Sequence, residues 1–490
     1  MNGFVSDRLR VLKALTSYPY PNFPRISNLP PPPPEALTTG YHSEGRRLYN
    51  FTAPNSISDI FCRLYNRMRD FILVGLVIAL LYVTVTAQHQ TGHTEYVILF
   101  DAGSSGTRMS IYQFLDSGPS LKPSDVKELD PSLSKIKPGI SELADDPSQV
   151  EAYMMPLLES AKKTIPQDKQ SSTPIYLLAT AGMRLVPTDQ ANAILDEVRK
   201  LFHDRAKCPF LFQEDVDVRI ISGTAEGIYS WITVNFLTGI FGTNQASYGS
   251  LDLGGASHQN AWDLKGKKNP ETFSISVAGK TYNVFARSYL GYGQDEAKER
   301  YLESIVKKSD CPENAECAVK SPCHNKGFKE SLEFNGQARV FEGTAQVEIC
   351  EDIIRNLFFC RSLDLKKCPF SNQPRLRGKF YGFSALYYVL TDINAVCSDC
   401  QNNFVNPKKI KRHLKSFCGK NYDEINESPY SKSQCFGANY IYELLTEGYR
   451  LKPGKKIRIA NSLNGFDLDW KMGAVLHNAK ILGIKGISKK

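Results

Sequence analysis

From residue 95 onward, short apolar runs alternate with longer segments of helical period. "YVILFDAG" and "RMSIYQF" read as two strands around a tight turn. "IYLLATAG", "DVRIISG" and "SYGSLDLGG" are near-continuous apolar runs of strand length that end in small residues. That is the pattern of strands buried on both faces. "AEGIYSWITVNFLTG" is long enough for a helix and is closed by Gly239. Strands interleaved with helices predict an α/β fold.

Two further segments break this rhythm. Residues 1–70 hold a proline run, Pro30–Pro34, and scattered turn residues, and read as a disordered tail. Phe71–Ala87 carries no charge and is just long enough to span a bilayer. Arg63, Arg67 and Arg69 precede it and no Lys or Arg follows closely. The expectation is a signal-anchor over 71–88, a cytosolic tail, and everything after it in the lumen or outside the cell. "VTVTAQ" also offers small residues for a signal peptidase, which would release the rest.

Composition sharpens this only in part. Of 490 residues 42% are hydrophobic, enough for sizeable cores, and the net charge is +9. That is too thin a basic excess for a nucleic-acid binder. The cysteines say more. Ten of the twelve lie between Cys311 and Cys435, a disulfide pattern if this region meets an oxidising compartment. Asn426-Glu427-Ser428 is a glycosylation acceptor on the same side.

The chemistry begins with a weak internal repeat. "LFDAGSSGTRMSIYQF" from Leu99 and "SLDLGGASHQNAWDL" from Ser250 each run strand, Asp, small residues, strand. Gly103, Gly106, Gly254 and Gly255 let a ligand approach the backbone, and Ser104, Ser105 and Ser257 add hydroxyl donors. Asp101 and Asp252 end their strands where a cation would balance phosphate charge. Two such hairpins facing each other would clamp a polyphosphate. Neither is a Walker A loop: there is no Gly-Lys-Ser/Thr, and each leads into a strand. Between them lie Thr180 and Ala181 at a strand end, Arg184 one turn on, and Glu226 at the start of a helix. An isolated Glu there is commonly a helix N-terminal charge. Beside two phosphate loops it reads as a general base.

"DAGSSGTR", "ATAGMRL", "SGTAEGIYSW" and "LDLGGAS", in this order, resemble the first four apyrase motifs of the ecto-nucleoside triphosphate diphosphohydrolase family. "FYGFSALYY" and "DWKMGAVL" resemble the fifth motif and the C-terminal helix. The resemblance covers roughly residues 95–480. It implies two RNase-H-like lobes of the actin, hexokinase and Hsp70 type, with the active site in the cleft between them. Lobe I would be residues 95–243 with 455–490 returning to it, and the Cys-rich lobe II residues 244–454. It implies Glu226 as catalytic base, and Mg²⁺ or Ca²⁺ held through water by Asp101, Asp252 and Gln259. Ser104, Ser105, Gly106, Thr180, Ala181, Gly255 and Ala256 would line the phosphates, beside Gly254 and Ser257. Tyr387 or Tyr388 would stack on the nucleobase.

"VNFLTG" and "SYLGYG" resemble the endoplasmic-reticulum and Golgi nucleoside diphosphatases, while "FYGFSALYYV" leans toward the surface apyrases. His258 stands where a Thr is frequent in the family, and would touch phosphate or adjust the pH optimum. The diphosphatase branch implies disulfides Cys323–Cys350 and Cys418–Cys435. Cys311–Cys317, Cys360–Cys368 and Cys397–Cys400 follow from proximity alone, and Cys208 is left odd, free or intermolecular. The run "KKIKRHLK" from Lys408 reads as a solvated helix face, with lipid contact or substrate steering as lesser readings.

The expected function is hydrolysis of UDP or GDP in the secretory lumen by direct water attack. A surface apyrase acting on ATP and ADP is the alternative, and an inactive nucleotide-binding module the alternative of another class. The expected partners are the nucleotide and a bilayer, with no nucleic acid. The oligomeric state is left open.

Overall fold

The computed structural model describes residues 95–267, 269–310, 317–334, 337–359, 368–397, 403–425 and 431–487. The expected tail, the span at 71–88 and the acceptor Asn426 lie outside these residues. No described helix is long and apolar enough to cross a membrane.

Two sheets organise the chain. The first has the spatial order Val126–Leu129, Gly106–Phe114, Tyr96–Gly103, Ile175–Ala179, Val218–Ile220. Its first three strands are antiparallel and its last three parallel. The second repeats that order and those directions with Lys280–Leu290, Ser257–Asp263, Gly249–Leu253, Phe380–Ser384 and Ile457–Ile459. Thr272–Val277 and Phe404–Val405 extend its edges. This shared order is the RNase-H-like topology, so the internal repeat of the sequence is a repeat of architecture. Tyr96–Gly103 and Gly249–Leu253 are buried along their whole length, which explains their unbroken apolar character.

The helix Gly223–Leu237 is the hub. Ser222 caps it, accepting from the Ala225 amide at 3.1 Å. Gly239, with φ 65°, ends it in the left-handed conformation that glycine adopts without strain. From Glu226 to Leu237 every residue is buried. It is apolar all round because it shares one core with Val97 and Leu99 of the first sheet and Ala261 and Val284 of the second.

The C-terminal segment divides between the two sheets. Ile457–Ile459 joins the second sheet. The helix Lys471–Asn478 packs on Gly223–Leu237, and buried Lys471 donates to Ser110 Oγ at 2.8 Å and pairs with Asp469 at 3.1 Å. The helices touch at Gly473, where a Cβ would lie 2.1 Å from the Tyr229 carbonyl oxygen. The Gly473 amide also donates to Thr233 Oγ1 at 2.9 Å. Backbone stands in that space, so a side chain must push the helices apart. Gly473→Ala is therefore expected to destabilise the fold by about 1–3 kcal/mol, read from urea denaturation. An unchanged midpoint would show that the crossing yields.

Cys323–Cys350 and Cys418–Cys435 are disulfides, as the resemblance implies. Cys317, Cys368 and Cys397 are also disulfide-bonded. Their guessed partners, Cys311, Cys360 and Cys400, lie outside the described residues. Cys208 is free and fully buried, and burial pushes its thiol up to about 11. The intermolecular reading of Cys208 is thereby corrected: a thiol with no exposure has no access to a second chain.

Candidate active site

Asp101 and Asp252 occupy equivalent places. Each lies toward the carboxyl end of its sheet's central strand, opposite Leu178 and Phe383 respectively on the parallel neighbour. Ligands in open α/β sheets bind outside these strand ends. Just beyond them the chain turns through the small residues of the two hairpins.

Those turns converge. A Cβ at Gly182 would lie 2.7 Å from Ser104 Cα, so the turn after Thr180 and Ala181 presses on the first hairpin. A Cβ at Gly255 would lie 3.3 Å from Ser104 Oγ and 2.5 Å from Asp295 Oδ2. A side chain there would have to displace the Asp295 carboxylate, and the two hairpins meet across this glycine. The Gly254 and Gly255 carbonyls accept the Gln294 and Asp295 amides at 2.8 and 2.9 Å, which fixes the second hairpin on the start of the helix Gln294–Val306. Ser105 is exposed at the tip, Ser104 half-buried, and Gly106 buried where the return strand begins. Thr180, Ala181, Ala256 and Ser257 are buried, and Gly254 is half-buried.

Glu226 is 7% exposed in the first turn of the hub helix. Its Oε2 accepts from Arg184 Nη2 at 2.8 Å and from Gln259 Nε2 at 3.2 Å. Its Oε1 accepts nothing from the described residues and is the oxygen available to a water. Burial pushes this carboxyl up to about 7. Arg184 pulls it down, while Asp252 and Asp101 push it further up, so the three carboxylates share one field.

Asp252 is held from two sides. Ser384 Oγ donates to Oδ1 at 2.7 Å and Ser230 Oγ to Oδ2 at 3.1 Å. Burial raises it to about 6 against these hydroxyls. Asp101 is raised to about 6 by burial as well, with Arg108 opposing from 4.0 Å. Asp101 Oδ1 is buried with no hydrogen-bond partner. An orphaned carboxylate oxygen beside two further buried carboxyls is a donor set suited to a hard divalent cation. Among the described residues no three His, Cys, Asp or Glu side chains converge to ligate a metal directly.

Gln259 is tied down through its amide nitrogen. Its Nε2 donates to Glu226, to Ser257 Oγ at 2.7 Å and to Ser288 Oγ at 3.1 Å. It ties the base to the second hairpin. His258 is corrected outright: it is fully buried, stacked on Tyr289 with ring centroids 4.6 Å apart, and bonded to Tyr449 at 2.9 Å. Burial lowers it to about 3. Successive strand residues face opposite ways, so His258 points into the second lobe while Ser257 and Gln259 face the site.

Tyr387 and Tyr388 open the helix Ala385–Asp392, their rings 5.4 Å apart. Tyr387 packs against the second lobe's core, while Tyr388 is 56% exposed. Burial and Asp467 raise the Tyr388 phenol and Arg108 lowers it.

Sequence reasoning assigned no role to Arg184, Ser230, Ser288 or Ser384. Arg184 holds Glu226, the Ile221 carbonyl at 3.0 Å and Ser257 Oγ at 3.1 Å. Ser384 carries φ 57° and ψ −130°, a conformation that costs a non-glycine residue about 1–3 kcal/mol. The strain aims its hydroxyl at Asp252. Ser384→Ala is expected to keep the strain, lose the hydrogen bond and lower activity about tenfold or more. Ser384→Gly should lower activity equally but be the more stable of the two variants, as urea denaturation would show. Equal activity in wild type and both variants would remove Ser384 from the site.

Residues 87–487 match the GDA1/CD39 (nucleoside phosphatase) family. The chain is 32% identical over 407 residues to "Ectonucleoside triphosphate diphosphohydrolase 5" of Gallus gallus, covering 80% of this chain and 89% of that one. It is 30% identical over 399 residues to "Nucleoside diphosphate phosphatase ENTPD5" of Homo sapiens, with the same coverage. In fold it matches a crystal structure of nucleoside triphosphate hydrolases from Neospora caninum, with TM-score 0.61, 12% identity, and 85% of this chain and 97% of that one covered.

Proposed function

The chain belongs to the GDA1/CD39 (nucleoside phosphatase) family, and from that premise we propose that it is a divalent-metal-dependent nucleoside diphosphatase of the secretory lumen, anchored by its N-terminal span. The observation that carries the chemistry is Glu226, a buried carboxylate raised to about 7, with one oxygen held by Arg184 and the other unbound.

The proposed reaction is in-line. Glu226 Oε1 takes a proton from a water as the water oxygen bonds to the terminal phosphorus, and the bond to the departing nucleoside monophosphate oxygen breaks. The backbone amides and hydroxyls of the hairpins at Ser104–Gly106 and Gly254–Ser257, with Thr180 and Ala181, donate to the phosphate oxygens. Asp101 and Asp252 would hold Mg²⁺ or Ca²⁺ through water, supplying charge neutralisation to the phosphates. Arg184 and Gln259 keep the base oriented. Tyr388, the exposed ring of the pair, is the better placed to stack on a base.

The diphosphate preference draws on the human relative, whose name is that of a nucleoside diphosphate phosphatase. The Gallus gallus relative's name, a triphosphate diphosphohydrolase, favours the second reading, a surface apyrase. Phosphate release by the full chain from UDP, GDP, ADP, ATP and UTP, with Mg²⁺ or Ca²⁺, separates them. Strong UDP and GDP turnover with weak ATP supports the lumenal reading. Comparable ATP and ADP turnover supports the apyrase. Release from none of them would leave a binding module.

A further inference from the structure

Behind the active site, the second sheet ends in a feature that the hydrolase leaves unused. At the amino ends of its parallel strands is a cavity of about 260 Å³ lined by Lys379, Lys455, Lys456, Arg458, Tyr248 and Phe404 among others, and, among the described residues, by no carboxylate. Asp252 and Ser384 stand at the opposite ends of these strands, so the nucleotide in the cleft does not reach it. The cations are interleaved with rings. Arg458 lies 5.0 Å from the Phe404 centroid and 5.3 Å from that of Tyr381, and Lys379 lies 5.9 Å from that of Tyr248. Phe404 nonetheless leaves 39% of its surface exposed.

The basic run noted in the sequence continues this surface. Phe404–Val405 leads through the cap Asn406 into the helix Pro407–Cys418. Lys409 Nζ lies 3.5 Å from the Phe404 carbonyl oxygen, and Lys408 and Arg412, one turn apart, are exposed. The helix sorts its charges. Lys411 pairs with Glu351, and Lys415 with Glu348 at 2.8 Å. Lys408, Lys409 and Arg412 have no carboxylate partner among the described residues, nor have Lys379, Lys455 and Lys456. His413 is lowered by burial, then by Arg412 and Lys409, which registers the positive field there.

We propose that this cavity and helix face form a groove for a sulfated glycan, the cavity taking one sulfated sugar and the helix the continuing chain. A string of lysines and an arginine, Lys379, Lys455, Lys456, Lys408, Lys409 and Arg412, with no carboxylate partner among the described residues calls for a ligand whose negative charge repeats over several residues. The exposed ring of Phe404 calls for one with flat C–H faces, which pyranose rings have. A phosphorylated small molecule would fill the cavity and leave the helix uncovered. The choice among polyanions rests on the lumenal or extracellular reading above. Nucleic acid is absent there, and anionic lipid is concentrated in the cytoplasmic leaflet.

The test uses the full chain in detergent micelles, with heparin as probe. The wild type should need more salt to leave immobilised heparin than to leave a sulfopropyl resin. Lys379→Glu with Lys456→Glu should lower the slope of log affinity against log salt by about 2. Phe404→Ala should weaken binding without changing that slope. Equal salt on both resins, an unchanged slope in the double variant, or competition by UDP as effective as by a heparin tetrasaccharide would each overturn the groove. Nucleotide turnover by the same preparations reports on the hydrolase separately, and protease protection of a C-terminal tag in sealed vesicles reports on topology. Neither can be mistaken for loss of heparin binding.

Discussion

Glu226→Gln is expected to lower nucleoside diphosphate turnover by about a thousandfold while nucleotide binding stays near that of the wild type. Gln keeps the size of the side chain and a carbonyl oxygen for Arg184, so the hairpins stay in place. It removes only the ability to take a proton from water. The wild type should show an acid limb: activity rises with pH as Glu226 ionises, around its value of about 7. A bound divalent cation adds positive charge nearby and moves that limb to lower pH. The residual activity of the variant should lose the limb altogether. Single-turnover kinetics with separately measured binding decides it. A variant within tenfold of wild type, or one with the same acid limb, would mean that another group activates the water.

A divalent cation is expected to stabilise the protein more at pH 8 than at pH 5. The metal-free pH dependence is a balance, because burial also lowers His258 to about 3 and His324 and His477 to about 4, and these cost stability at the acid end. Asp101 and Asp252 are raised to about 6 and Glu226 to about 7. The folded state therefore binds these protons more tightly than the unfolded chain, whose carboxyls titrate near 4. The stability from each group is fully present below that range and is lost as pH rises through 6 to 7. Two pH units of tighter proton binding correspond to about 3 kcal/mol, and the three groups interact, so their contributions do not simply add. At pH 8 all three are ionised, buried and mutually repelling, and a cation relieves them. Melting in a chelator and in Mg²⁺ or Ca²⁺, at both pH values, tests this. Asp252→Asn should shrink the difference between the cation's effect at pH 8 and at pH 5. Stabilisation by the cation that is no larger at pH 8 than at pH 5 would refute the account.

Much of this site was legible because its parts are local. Each hairpin is a strand, an Asp and a tight turn within a dozen residues, and Glu226 is marked by the small residues around it. The paired topology followed from the same repeat. What escaped depends on contacts that no window contains. Ser384 and Asp252 are 132 positions apart, and Arg184 and Glu226 42. Neither side chain has a local signature, and the left-handed φ of Ser384 is unannounced by a glycine. His258 is different: strand alternation alone turns it away from Ser257 and Gln259, and that signal was in the sequence. The basic helix was visible as a run, but which of its lysines meet a glutamate is decided by the fold.

The contact between Lys471 and Ser110 joins positions 361 apart. Phe466, Leu468, Trp470, Met472 and Leu476 complete the core that Val97 and Leu99 begin. During synthesis the first sheet emerges early, while the helix that covers the hub arrives only after the second sheet. Until then apolar surface around Tyr229 and Thr233 stands open. A stop codon between Ile459 and Phe466 would spare every motif that carries chemistry, yet leave a chain unable to close. Quality control would meet it as a misfolded protein long before its activity could matter.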